Sequence, residues 1–255
     1  MTGGDAPLRV ALEAGALTLT LDRPDKRNAM SAALIEALHA GFERADFDAA
    51  VSVVVLRGAG KDFCAGADLD ELLASADLPP ADNEAAALRL GTLFGRMRRL
   101  PKPVVAVVQG RALAGGAGLV TACDLAIAGE GAQIGYPEIQ RGFVPAMVMT
   151  LLRRAVGEKL ALELVLTGRV LTAPEARGAG LLARVVPDAA LEREARSLIS
   201  SLAEASPSAL ALTKQLFYQL DGRSLEDGIA LGARVNAAAR QTPDFRAALA
   251  RFLDR

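Results

Sequence analysis

Two nearly continuous runs of β-branched and apolar residues, Val51–Leu56 and Val104–Val108, constrain the fold more than any other feature of the chain. Runs this apolar, without polar alternation, read as strands buried on both faces. Helical spacing lies between and around them. Leu34, Ile35, Leu38 and Phe42 recur at helical intervals within Ala32–Ala45, where Asn28 or Ser31 supplies a cap. Glu84–Leu100 reads as a second helix, ended by "PKP". Further upstream, Leu8–Leu12 and Ala16–Leu21 alternate around "EAG", a hairpin signal. A third core strand is expected at Leu125–Ala128, and from Asp188 onward the pattern is almost wholly helical. Strands alternating with helices predict an α/β core of parallel strands covered by helices. The division expected is a core over 1–190 and a helical region over 191–255 that packs on the core and on a neighbouring subunit. Residues 74–83, polar and proline-bearing, read as a flexible connection.

Composition removes several classes of function. A net charge of −1 gives no global field for nucleic acid or a membrane surface. The chain has no Trp, which argues against aromatic platforms for single strands. No apolar run reaches the roughly 18–20 residues that span a bilayer. The N-terminus "MTGGDAPLRV" lacks a basic region followed by an apolar one, so the expected location is cytoplasmic. Cys64 and Cys123 are too few for a disulfide framework or a CxxC metal site, and read as reduced, buried thiols. The only histidine, His39, falls on the polar side of a helical pattern, and no GxSxG elbow accompanies it. A general base is therefore expected to be a carboxylate.

Three loops follow buried strands: "FCAGADL" at Phe63–Leu69, "GRALAGGAGL" at Gly110–Leu119 and "IGYPEIQRGF" at Ile134–Phe143. The first two place small residues where a strand ends and a helix begins. Small residues allow a ligand close to the backbone, and the first helical turn offers N–H groups without intrahelical partners. Two such donors converging on one oxygen form an oxyanion hole. A tight strand–helix turn is the alternative reading of either loop alone. The Gly116–Thr121 segment also approaches a dinucleotide fingerprint, but Thr121 stands where the last glycine belongs. The third loop carries an acid, Glu138, held by Pro137 among Ile134, Ile139 and Phe143. Apolar surroundings raise a carboxylate pKa toward working pH, which suits acid–base catalysis.

Together these segments resemble the crotonase superfamily, the enoyl-CoA hydratase/isomerase family. "LDRPDKRNAMS" is similar to its N-terminal coenzyme A loop, and "FCAGADLDEL" to its F-x-A-G-A-D-[LI] segment. "VVAVVQGRALAGGAGLVTACDLAIAGEGAQIGYPEIQRGFVP" resembles its central block, and "LTGRVLTAPEARGAGLLARVVP" the stretch before its C-terminal helices. The resemblance covers essentially the whole chain. It implies a ββα spiral core followed by helices that form a homotrimer or a dimer of trimers. It also implies an acyl-CoA thioester as substrate, with no cofactor beyond the coenzyme A that the substrate carries. By the same resemblance, the backbone N–H groups of Ala67 and Gly115 form the oxyanion hole. Lys26, Arg27, Ala29, Ala65, Asp68 and Leu69 flank the coenzyme A path, and Tyr136 either donates near the acyl group or packs the loop.

Hydratases of this family use two glutamates. One of those positions is Glu138 here, and the other is Gly118. A single carboxylate suffices to move a double bond, by removing a proton at one carbon and returning it two carbons away. The expected reaction is Δ3–Δ2 enoyl-CoA isomerisation. Hydration by one glutamate is the first alternative, with Asp68, Asp70 or Glu71 available as a second acid. An acyl-CoA-binding protein with little catalysis is the second.

Overall fold

The computed structural model describes residues 6–253. The first five residues, on which the reading of the N-terminus partly rests, lie outside it. Strands β1 (Leu8–Glu13) and β2 (Ala16–Leu21) form the expected hairpin. Its turn puts Ala14 and Gly15 both at positive φ, the backbone that a two-residue hairpin loop needs. Helix α1 (Ala32–Phe47) follows, then β3 (Val53–Gly58). Ser31, not Asn28, caps α1, by accepting from the Leu34 N–H at 3.2 Å. Helices α2 (Leu69–Ala74) and α3 (Pro80–Arg99) lead to β4 (Val104–Val108). The segment expected to be a flexible connection is thus mostly helical: a 3-10 turn over Ser75–Asp77, then α3. Helix α3 starts earlier than its apolar spacing suggests, because Pro80 fits a first helical turn, where no N–H is needed.

Strand β5 (Arg111–Leu113), helix α4 (Gly115–Ala122), β6 (Leu125–Gly129) and β7 (Gln133–Gly135) come next. Helices α5 (Ala146–Ala155) and α6 (Glu158–Thr167), β8 (Val170–Thr172), α7 (Ala173–Gly178) and β9 (Arg184–Val186) complete the mixed portion. The tail is α8 (Leu191–Ala203), α9 (Pro207–Gln219), α10 (Leu225–Ala239) and α11 (Pro243–Leu253). The main sheet has the order β1-β2-β3-β4-β6-β9, parallel apart from β1. A second sheet, β5-β7-β8, stands beside it.

The valine runs are buried on both faces, for a simple reason. Val54, Leu56, Val104, Ala106 and Val108 join Leu34, Leu38 and Phe42 in one core cluster. Val53, Val55, Val105, Val107 and Ile127 turn the other way, onto Leu191, Ala195 and Leu198 of α8. Each fully buried Leu, Val or Phe contributes about 1.5–3 kcal/mol, so both layers matter to stability. No helix among the described residues is long and apolar enough to cross a membrane.

A buried ion pair ties the tail to the core. Lys214 of α9 reaches Asp124 at 2.6 Å and donates to the carbonyls of Met97 and Lys102, both at 2.9 Å. Asp124 also accepts from the Val104 N–H and from the Tyr218 hydroxyl. The pair therefore joins α9 to the end of α3, the start of β4 and the rear of α4.

Candidate active site

The carboxyl ends of β3 and β4 carry the loops expected to hold the site, which is where parallel α/β sheets place their ligands. The two loops are stitched together by backbone hydrogen bonds. Cys64 N–H donates to Arg111 O at 3.0 Å, and Leu113 N–H donates to Cys64 O at 2.9 Å. The N-terminal loop closes the other side: Met30 N–H donates to Gly66 O at 2.8 Å, and Asp68 N–H donates to Met30 O at 3.0 Å. These bonds use the peptides on either side of Ala67. The Ala67 N–H donates to no acceptor among the described residues. Gly115 is the first residue of α4, so its N–H has no carbonyl one turn earlier in the helix.

The two candidate donors are brought together one residue upstream of each. A Cβ on Gly66 would stand 2.8 Å from the Cβ of Ala114, so glycine is needed there, and its φ of +102° says the same. Ala114 itself holds φ 51° and ψ −125°, a conformation comfortable only for glycine. Such a residue costs on the order of 1–3 kcal/mol and persists only where its surroundings fix it. Here the Ala114 N–H donates to Gly135 O at 2.8 Å, and its carbonyl accepts from the Gly118 N–H at 3.0 Å. The strained turn aims the start of α4 toward the Ala67 loop.

Glu138 lies in a 3-10 turn, Pro137–Arg141, directly after β7. It is buried, and its Oε2 has no hydrogen-bond partner among the described residues. Burial pushes its pKa above the ordinary glutamate value, against the pull of its own backbone N–H and of Arg141. An unpartnered buried carboxylate is poised to exchange a proton with a ligand. If Glu138 acts as base, the acid limb of kcat/KM falls at a pH above the usual glutamate value; a limb at or below that value would contradict this.

The surroundings of Gly118 are closed. A Cβ there would meet Val148 Cγ1 at 2.3 Å and Phe94 Cζ at 2.8 Å. The niche where the resemblance puts a second glutamate is therefore filled by apolar side chains from α5 and α3. Met30 presses its methyl against Gly115, whose Cβ would lie 2.3 Å from Met30 Cε.

The other expected residues fall out unevenly. Tyr136 packs the loop, the second of its two readings. It is fully buried, and its hydroxyl lies 2.6 Å from Thr121 Oγ1, which itself donates to Ala117 O at 2.8 Å. The tyrosine proton is thus committed to Thr121, and the ring ties the Glu138 turn to α4. Asp68 is engaged by Arg23 at 2.8 Å and caps α2 through the Asp70 N–H at 3.1 Å. The Arg23 bond holds its carboxyl below the usual range. Lys26 is exposed and pairs with Asp70 at 2.9 Å. Arg27 is exposed in a left-handed backbone, and its carbonyl accepts from the Ala65 N–H at 3.0 Å. Ala29 gives its carbonyl to Arg23, and Leu69 is exposed. His39 bonds to the Arg89 carbonyl, between α1 and α3. Cys64 is buried, which pushes its thiol up to about 12 and leaves it no role as a nucleophile.

Sequence reading missed two organisers. Asn28, fully buried, accepts from the Arg23 N–H and donates to the carbonyls of Ala59 and Asp62. Asp62 in turn accepts from the Arg111 N–H at 2.9 Å. The available signal was the left-handed tolerance of Asn, here at φ 55°.

Comparison with known proteins places the chain in a family. The sequence profile of the family described as "Enoyl-CoA hydratase/isomerase" matches residues 11–255. The chain belongs to that family. A Thermus thermophilus protein provisionally named an enoyl-CoA hydratase is 43% identical over 92% of this chain and 93% of its own length. The 2,3-dehydroadipyl-CoA hydratase of Escherichia coli is 36% identical over 97% of this chain and 96% of its own. Among solved structures, an enoyl-CoA hydratase of Mycobacterium smegmatis superposes with a TM-score of 0.93 at 34% identity, covering 97% of this chain and 96% of that one. The family fold is therefore the crotonase fold expected from the four sequence segments, and the chain is an acyl-CoA enzyme.

Proposed function

We propose that this enzyme shifts the double bond of a 3-enoyl-CoA to the 2 position, with Glu138 as its only acid and base. The observation that carries this reading is the pairing of one buried carboxylate, its Oε2 unpartnered, with a Gly118 niche filled by Val148 and Phe94. The thioester oxygen accepts from the N–H groups of Ala67 and Gly115. Glu138 removes a proton from C2, and the electron pair spreads over C2–C4 and the thioester oxygen as a dienolate. The protonated Glu138 then gives the proton to C4, leaving the double bond between C2 and C3. No water is consumed. Developing charge on the oxygen is what the two donors stabilise, and losing one such donor typically costs about 10²–10³ in rate. Coenzyme A lies along Lys26, Arg27, Ala29, Ala65, Asp68 and Leu69, with the basic pair toward its phosphates.

Hydration of a 2-enoyl-CoA is the competing reading, favoured by the names of the relatives. Incubation with 2-enoyl- and 3-enoyl-CoA thioesters in deuterated water, with products identified by mass, separates the two. Isomerisation is expected, with deuterium appearing at C4 to the extent that Glu138 exchanges its proton with solvent. Hydration without isomerisation overturns the proposal, and tight binding without turnover points to a binding protein.

The protein is proposed to work as a homotrimer or a dimer of trimers. Helices α10 and α11 bury no residue, and Phe217, Leu225, Ile229, Phe252 and Leu253 are all strongly exposed. Apolar patches of this kind mark association surfaces. Light scattering at working concentration tests it, and a stable monomer would refute it.

A further inference from the structure

We infer that Phe94 and Val148 are specificity-determining residues, which keep a second acid and its water away from the reacting carbons. The inference rests on the isomerase reading of the same site and adds to it. A glycine in place of an acid could leave an open hole on α4, and an open, polar hole beside the reacting carbons would hold water. Here the space is occupied from two directions. Val148 on α5 and Phe94 on α3 are both buried, and both stand closer to Gly118 than a Cβ would permit. The same wall continues along α4 and α3: Met30 and Leu90 face Gly115, and Met147 stands at 3.1 Å from a Cβ placed on Gly91. No polar side-chain atom is among the nearest neighbours of Gly115 or Gly118. Hydration adds the oxygen of water to C3 and a proton to C2. It therefore needs a water held beside C3 and an acceptor for the proton that water gives up. The wall closes the Gly118 side to such a water and to a second carboxylate, and leaves Glu138 as the one acid and base.

Two measurements test this, and they fail independently. The first reads packing. Gly118→Glu alone lowers the melting temperature markedly, and adding Phe94→Leu and Val148→Ala restores much of the loss. Unchanged melting in the single variant overturns the claim that the niche is filled, whatever reaction the enzyme performs. The second reads chemistry, as the ratio of 2-enoyl-CoA hydration to 3-enoyl-CoA isomerisation on one sample, so that a reduced folded fraction cancels. Val148→Ala is expected to raise the ratio about tenfold, and the triple variant to raise it further. If the triple variant does not fold, Val148→Ala decides alone. A ratio that stays flat in folded variants overturns the specificity role. A wild-type enzyme that already hydrates faster than it isomerises overturns the isomerase reading, while the melting result still decides whether the wall is closed.

Discussion

Glu138→Gln is expected to lower turnover by about 10²–10⁴-fold, the usual share of a positioned general acid or base. Glutamine keeps the shape and cannot carry the proton. Acyl-CoA affinity stays within a few-fold, because the proposed Ala67 and Gly115 donors and the proposed coenzyme A path are untouched. The stability of the variant separates chemistry from folding. The folded-state pKa of Glu138 is raised by burial, so the ionised carboxylate opposes folding. Its stability contribution is fully present below the ordinary glutamate pKa and is lost as pH rises through the higher folded value. At pH 7 the glutamine variant should thus be at least as stable as the parent. That advantage should vanish on acidification below the ordinary glutamate pKa. An inactive variant that also melts early at pH 7 would speak for lost structure, and an active one would remove Glu138 from the reaction.

Lys214→Met is expected to cost about 3–5 kcal/mol, because it leaves Asp124 as a charge without its cation in a nearly dry setting. For a chain of this size that is a fall in melting temperature of roughly 6–20 °C. The lysine is 8% exposed and makes three close contacts, so water cannot readily replace it. Lys214→Met combined with Asp124→Asn should cost less than the sum of the single changes, since the stranded charge is gone. Thermal melts of the three variants check this. Additive losses would mean that the two side chains act separately.

The strands that carry the core were legible because β-branched runs have few other uses. Strands β5 and β7 were not, since three residues are too few to show a period. Their pairing is decided by where the Gly110 and Gly129 corners bring the chain, through bonds such as Gln133 N–H to Gly110 O at 2.8 Å. The burial of Glu138 was legible, although Ile139 and Phe143, expected around it, are exposed. What fills the Gly118 niche was not, because Val148 and Phe94 arrive from helices remote in sequence. Tyr136 could be read either way for the same reason: only the fold places Thr121 in front of it.

Ala114 has a consequence for how the protein ages and heats. Outside α4 itself, its strained turn is held by the bond to Gly135, the last residue of a three-residue strand. A short ribbon opens locally at less cost than the valine-lined sheet beneath it. Once β7 lets go, the alanine relaxes and the first turn of α4 swings off its aim, while the helices and the main sheet stay intact. If Gly115 donates to the thioester as proposed, activity should fall reversibly on heating before the main sheet melts, and activity lost only together with the fold would contradict this.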